Sequence, residues 1–407
     1  MAVTIRKLAG PDEFPAMSLN DTRAFSSDRP LSDLIEGAGR MYAAGGGERV
    51  WVGDEGGEIV SNIGIVPFEL TMPGGSLTPV AGVTWVGVSP TRRRQGLMRR
   101  SMDVAVADAT ARGETLAILY ASEASIYRRV GYGVSTQFRT VSIDARRTEL
   151  VRPSTTAAEL RYLLPEQAGE LLPAIFDRNR IGMAGHISRY PGWWQFHVTA
   201  PPTPTDGMSQ TYLVAHPDGY VRYRTKERWT DFVPDHLVQV DELVAVTDEA
   251  HTALWEFLLS LDLVQEIVVP RFALDDPLPW RLTNPRAIRT TALVDGLWTR
   301  VLDTAAALSA RRYATRSEVV IEVVGGGPGV AGRWRLEGGS DHAACAASRA
   351  DVDITVTAAD LGSILLGGIS PEMLRRAGRL VEHRAGESAR LTSMFASDPL
   401  PFCTTEF

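Results

Sequence analysis

The stretch VSPTRRRQGLMRRSM, residues 88–102, places five arginines within fifteen residues of a chain whose net charge is −7. Three kinds of chemistry use such a run: binding a nucleic-acid backbone, solvating one face of a helix, or holding a single anionic ligand. The flanking residues decide between them. Nucleic-acid binding spreads basic residues over a face with aromatic rings among them, whereas here they gather at one turn. Before the run, AGVTWVGV alternates as a strand, with Val83, Trp85 and Gly87 expected on one face and Thr84, Val86 and Val88 on the other. After it, Met98, Met102, Ala105 and Ala109 form an apolar stripe at helical spacing that must lie on a sheet. Arg93, Arg94, Gln95, Gly96, Leu97 and Met98 therefore sit at a strand-to-helix turn. The first N–H groups of a helix lack partners within it and lie at the positive end of its dipole. A phosphate placed there gains roughly 0.3–1 kcal/mol per charge before any arginine adds to it. Gly96 lets the backbone approach such a ligand closely. Arg99 and Arg100 lie further into the helix, on a face expected to be solvated.

Other chemistries find less support. The seven histidines form no H-x-x-H or His/Asp pattern, so no metal is expected. Nothing resembles a serine nucleophile elbow. GGGPGVAG, residues 325–332, has the glycines of a phosphate loop but stands between two strands with no helix after it, and reads as a hairpin loop. WWQF at 193–196 reads as core or interface rather than a ligand cage. The two cysteines, Cys345 and Cys403, lie in no metal-ligand or CxxC spacing, which argues against a zinc site and a disulfide framework.

The elements that must carry the turn follow from periodicity. VTIRKLAGPDEFPAMSLND reads as a strand and a helix, and residues 49–90 read as consecutive strands with Gly-rich turns. A helix to about Arg112, a strand (TLAILYAS), a short helix and a further strand complete a first unit near residue 145. A second unit begins at RPSTTAAELRYLLPEQ; its strands, helix and strand repeat the tail of the first, as a diverged duplication would. DDPLPWRLTNPR is a Pro-rich linker to a third unit of hairpin, strand and short helices. At 407 residues, 44% hydrophobic and 22% charged, the chain suits a soluble protein of two or three domains. No apolar run reaches the roughly 18 residues of a membrane span. MAVTIRKLAGPDEF puts charge where a signal peptide is apolar, so a cytoplasmic protein is expected, with secretion by a signal-less route left open. The acidic balance argues against polyanions and suits cationic partners.

Arg93-x-x-Gly96 between strand and helix resembles the pyrophosphate-binding motif of the GNAT acetyltransferases, although the family's motif ends in Gly or Ala where Met98 stands here. LYASEASIYRRVGYG resembles the GNAT segment in which a tyrosine precedes a basic pair and a Gly-aromatic turn. That tyrosine protonates the departing CoA thiolate, and Tyr127 occupies its position. A phenol of pKa ~10 can hydrogen-bond a thiolate whose conjugate acid lies near ~8.5 and return a proton to it. Together with HPDGYVRYR, ALWEFLLSLD, DDPLPWRLT, DGLWTRV and FASDPLPFCTTEF, in that order, these segments resemble the Eis (enhanced intracellular survival) acetyltransferases of mycobacteria and other actinobacteria.

The resemblance implies an α+β protein: two GNAT-like domains in tandem followed by a sterol-carrier-protein-like α+β domain. The boundaries read as 1–148 for the catalytic domain, 149–286 for a second GNAT-like domain without its own active site, and 287–407 for the third. It implies an acyltransferase with acetyl-CoA as cosubstrate. Val86, Gly87 and Val88 would hold the pantetheine and polarise the thioester, amides from Arg94 to Arg99 the pyrophosphate, and Ser122 and Glu123 would line the CoA cleft. Trp85 would wall the acceptor pocket. Asp28, Asp33 and Glu36 are its candidate acidic residues, Asp28 being taken as the anchor, and which of them enters stays open. The α-carboxylate of Phe407 would take the amine's proton, with Glu406 as a second anchor, because the family's chains share this Glu-Phe ending. Acceptors would be cationic amines, aminoglycosides first and lysine side chains second, and the assembly a homo-hexamer. The competing expectation, from the third unit, is a lipid-binding carrier with a vestigial acetyltransferase domain.

Overall fold

Alternating apolar residues and Gly-rich turns build the N-terminal strands as expected. The computed structural model describes residues 2–41, 47–201, 204 and 206–407. Its first elements are β1 (Thr4–Lys7), α1 (Phe14–Phe25), α2 (Leu31–Met41), β2 (Val50–Glu55), β3 (Glu58–Thr71), β4 (Leu77–Val88), α3 (Leu97–Ala111), β5 (Leu116–Tyr120) and α4 (Ala124–Tyr127). β1 to β4 pair antiparallel in sequence order and β5 pairs parallel to β4, so α3 is the crossover helix between the parallel strands. The α3 stripe works as the sequence implies: Met102, Ala105 and Ala109 are fully buried against Ile63, Ile65, Val83 and Leu119. Alanines at two of these positions let the helix backbone approach the sheet. On the opposite face, Phe14, Met17 and Ala38 of α1 and α2 pack on Val50, Val52 and Ile59.

Contacts divide the chain into two units that do not follow simple sequence blocks. One holds Met1–Thr136, Gly296–Pro401 and Thr405–Phe407; the other holds Gln137–Asp295 and Phe402–Thr404. Strand Gln137–Asp144 lies in the second unit's sheet, as does Ile288–Asp295, while Leu297–Val301 pairs antiparallel with β5 in the first sheet. Periodicity identifies these segments as strands but not the sheet each one joins.

In the second unit, strands His236–Ala245 and Val264–Phe272 pair parallel across helix Asp248–Leu259, repeating the β4–α3–β5 arrangement. Trp255, Leu254 and Leu258 of that helix fill the core between them. Its first turn carries Asp248 and Glu249, with the Thr247 hydroxyl as cap. Negative charge and a capped N-terminus stand where the first unit has arginines. Trp193 and Trp194 are buried in this unit's own core, with the Arg189 guanidinium 3.6 Å from the Trp193 ring centroid. WWQF is therefore core at its two tryptophans. Helix Pro165–Ile181 covers the pair with Phe176 and Leu172, so of core and interface these tryptophans are core.

The C-terminal segment of the first unit adds a five-stranded sheet, with Ser317–Val324 at its centre between Gly332–Gly338 and Ile354–Thr357. GGGPGVAG is the hairpin loop between the first two of these strands. Arg311 is fully buried and bonds the Leu365 and Phe395 carbonyls, with its guanidinium 4.5 Å from the ring centroids of both Tyr313 and Phe395. Burial pulls its pKa down to about 10. Neither Cys345 nor Cys403 is in a disulfide. No helix among the described residues is long and apolar enough to cross a membrane.

Candidate active site

The site begins with a fault in strand pairing. Asn62 pairs with Gly87, but the next pair is Gly64 with Thr84, so Trp85 and Val86 both stand against Ile63. This is a β-bulge, and Trp85 takes φ 52° to make it. Strict alternation would put Val83 and Trp85 on one face. The bulge separates them: Val83 and Val86 pack with the α3 side, and Trp85 with the α1–α2 side. The pairing of β4 with β5 ends at Gly82–Ile118, although β4 runs on to Val88. Past Gly82 the two strands part, and the edge of β4 from Thr84 to Val88 has no β5 partner. An extended chain with amides of its own can complete the ladder there.

A buried polar cluster holds the bulge. Asn62 Nδ2 donates to the Trp85 carbonyl (2.7 Å) and to Asp21 Oδ1 (3.0 Å), and Asn62 Oδ1 accepts from Asn20 Nδ2. Asn62 replaces, with its side chain, the ladder bond that the bulge takes from Trp85. Burial raises the pKa of the Asp21 carboxyl, and the bond from Asn62 partly offsets this.

At the end of β4 the chain enters the arginine turn. Gly96 is the residue before α3, with φ 76°; no side chain caps the helix, and its first turn has no acidic residue. The α3 N–H groups therefore remain open to an anion, unlike those of the matching helix in the second unit. The arginines are not equivalent. Arg92 pairs with Glu55, Arg93 donates to the Ala24 carbonyl and Arg100 to the Val3 carbonyl. Arg94 and Arg99 are exposed and make no ion pair among the described residues, so they are the arginines available to a ligand. Gln95 and Gly96 are exposed beside them, Leu97 is buried in the core, and Met98 is half-buried.

Tyr127 closes the α3 side of the gap. It is the last residue of α4, buried with Leu119, Val83 and Tyr132, and meets the Tyr132 ring edge-on at 6.2 Å. Burial raises its pKa, a hydrogen bond with the Ser122 side chain lowers it in part, and the charge of Glu123 pushes it further up. Ser122 and Glu123 themselves are exposed. On the other face of the sheet lies the C-terminus. The Tyr120 hydroxyl donates to the Thr405 carbonyl (3.0 Å), and the Phe407 ring lies 4.9 Å from Phe68 and 5.5 Å from Tyr120. Since Leu119 points to α3, its neighbour Tyr120 points away. Tyr127 and Phe407 thus lie on opposite faces of the sheet that parts between β4 and β5.

Comparison with known proteins decides the family. An acetyltransferase (GNAT) domain model matches residues 4–135, another GNAT model residues 185–301, and a sterol carrier protein domain model residues 304–404. The chain is 37% identical to an uncharacterized N-acetyltransferase of Streptomyces avermitilis, over 87% of each chain. It is 34% identical to N-acetyltransferase Eis of Mycobacterium tuberculosis, over 84% of each. The crystal structure of Eis1 from Mycobacterium abscessus superposes with a TM-score of 0.87 at 35% identity, covering 99% of this chain and 100% of that one. The chain belongs to the Eis family of GNAT N-acetyltransferases. A GCN5-related N-acetyltransferase from Anabaena variabilis shares the fold, with a TM-score of 0.83 at 17% identity.

As an Eis-family protein the chain is an acyltransferase, not a carrier with a vestigial first domain. Its fold is two GNAT domains followed by a sterol-carrier-like domain. The structure brings Val86, Gly87 and Val88, the turn from Arg93 to Met98, Ser122, Glu123 and Tyr127 around one strand gap. Trp85 lies on its α1–α2 side. Asp28 is exposed on the connection between α1 and α2, Asp33 accepts from the Ser32 hydroxyl (3.1 Å), and Glu36 pairs with Arg40. Glu406 is exposed beside the buried Thr405. Sequence reading missed Asn20, Asp21 and Asn62. The available signal was Asn62-Ile63-Gly64 inside a long apolar strand, since an interior polar residue next to glycine marks a bulge.

Proposed function

We propose that this Eis-family enzyme moves the acetyl group of acetyl-CoA to amines of cationic small molecules, aminoglycosides at several positions first and lysine side chains second. The observation that carries the reading is the parted pair β4 and β5, with an uncapped helix N-terminus and a buried tyrosine on one face and the Phe407 ring on the other. Donor and acceptor then approach from opposite sides. The amine nitrogen attacks the thioester carbonyl carbon, whose oxygen is held by amides of Val86 to Val88. The C–S bond breaks, the Tyr127 hydroxyl gives its proton to the leaving thiolate, and the Phe407 carboxylate takes the amine's proton. Asp28, Glu406 and Trp85 form the acceptor pocket. Arg94 to Arg99, with Arg93, hold the pyrophosphate. The acidic first turn of the matching helix supports a second GNAT domain without a donor site. The test is thiol release from acetyl-CoA against a panel of aminoglycosides, polyamines and lysine peptides. Turnover highest with polycationic aminoglycosides supports the proposal, and turnover confined to neutral amines contradicts it.

Gly96 gives a direct test of the pyrophosphate turn. A Cβ there meets nothing within 4 Å, so a side chain is accommodated sterically in the free protein. The obstacles to Gly96→Val are the φ of 76°, costing about 1–2 kcal/mol for an L-residue, and the loss of the close approach a phosphate needs. We expect folded protein with a KM for acetyl-CoA raised about tenfold or more, since 1.4 kcal/mol of lost binding is already tenfold. Equal KM in folded Gly96→Val removes the turn from the donor site.

The same reading includes a homo-hexamer. With Trp193 and Trp194 buried, the support within this chain comes from other residues of the second unit: Phe232 is 98% exposed, Trp280 89% and Leu293 64%. Leu293 lies on the edge strand Ile288–Asp295, a location that natural proteins ordinarily cover. Light scattering at micromolar concentration reads the mass against 44.3 kDa for one chain, and a monomer contradicts the assignment.

A further inference from the structure

Tyr127 is followed by an arginine that reaches into the sterol-carrier-like segment of the same unit. Arg128 Nη2 donates to both oxygens of Asp360, each at 3.1 Å. Asp360 is fully buried, in the first turn of helix Ala358–Ile364. The Thr357 hydroxyl donates to Asp360 Oδ2 (2.6 Å) and accepts from the Asp360 N–H (3.1 Å). Arg379 Nη2 also lies 2.5 Å from Asp360 Oδ1. Asp360 thus holds two arginines, Arg128 through both of its oxygens and Arg379 through one. A carboxylate without solvent depends on such partners.

The same helix touches the strands after Tyr127 backbone to backbone. A Cβ on Gly133 would stand 1.9 Å from the Ala359 carbonyl oxygen, and one on Gly362 2.1 Å from that of Thr299. Nothing but glycine fits at either point. The turn from Tyr127 to Tyr132 is closed by a bond from the Tyr132 N–H to the Tyr127 carbonyl (3.1 Å), and Arg300 holds the Val130 carbonyl (2.7 Å). Its downstream end is clamped by backbone contact, and its upstream end, at α4, is tied down by the Arg128–Asp360 pair.

We propose that Asp360 is a positioning residue for acetyl transfer: acting through Arg128, it fixes the end of α4 and so places the Tyr127 hydroxyl at the thioester gap. The sterol-carrier-like segment then serves the first GNAT domain as a brace for its proton donor. The inference rests on the reading of Tyr127 as that donor.

The test uses thiol-release kinetics on the full chain for Asp360→Asn and Arg128→Met, each alone, together, and in a Tyr127→Phe background. Because small misplacement of a catalytic group is expensive, each single change is expected to lower kcat about tenfold, with the KM for acetyl-CoA within about twofold. The double variant should be no slower than the singles, and Arg128→Lys should recover part of the loss. In the Tyr127→Phe background Asp360→Asn should change kcat less than twofold, because the group it places is gone. Equal losses in both backgrounds, or an unchanged kcat per folded enzyme, overturn the proposal. If Asp360→Asn yields no folded protein, Arg128→Met carries the same comparison, its arginine being partly exposed. A wild-type kcat in Tyr127→Phe itself sinks the proton-donor reading instead, and this inference with it.

Discussion

Tyr127→Phe lowers kcat about 100-fold or more while leaving the KM for acetyl-CoA nearly unchanged, the scale expected for one general acid. The substitution keeps the ring that packs on Tyr132 and Leu119 and removes only the hydroxyl. Stability should fall by no more than ~1 kcal/mol, since the one hydrogen bond lost is to the exposed Ser122. The pH profile carries a second signature. Burial raises the phenol pKa, so the hydroxyl stays protonated to higher pH than a free tyrosine. The wild-type alkaline limb should then lie above the ordinary value of ~10 and change shape in the phenylalanine variant. An unchanged kcat, measured where chemistry limits the rate, returns Tyr127 to a packing role.

The second large effect is at the other face. Extending the chain by a few residues beyond Phe407 converts the α-carboxylate into a peptide bond, and kcat should fall about 100-fold or more with acetyl-CoA binding intact. In water an α-carboxyl titrates near ~3.3–3.7, a poor base for an ammonium. The Phe407 ring packs against Phe68 and Tyr120, which fixes the chain end on this face of the sheet. Isothermal titration with CoA separates binding from turnover. Full activity in the extended protein refutes the role of the carboxylate.

What was legible from sequence was local. The arginine turn could be found because its determinants lie within thirty residues: an alternating strand, Gly96, and the stripe at Met102, Ala105 and Ala109. Tyr127 carried a motif recognisable by resemblance. The faces of Trp85 and Val86 were misread because a bulge is a property of two strands: Ile63, over twenty residues away, accommodates both. WWQF leaves core and interface open in the sequence because the cover of its tryptophans, Phe176 and Leu172, comes from a helix whose packing partner periodicity cannot name. Arg128 is half of the basic pair that follows Tyr127, and the carboxylate it binds lies 232 residues away. Distant pairings of this kind leave no trace in composition or spacing.

The boundaries of the first unit bear on how the enzyme can be taken apart. The chain leaves that unit after Thr136 and re-enters it at Gly296, and the Gly296 N–H donates to the Thr136 carbonyl at 2.9 Å. Exit and re-entry are neighbours, so residues 137–295 form an insertion in the sequence of the first unit. Cutting the gene at residue 148 would strip Leu297–Val301 from β5 and bare a central strand. Joining Thr136 to Gly296 through a short turn keeps that strand paired. The second unit also takes Phe402–Thr404, so exchanging residues 137–295 must also provide for that short segment.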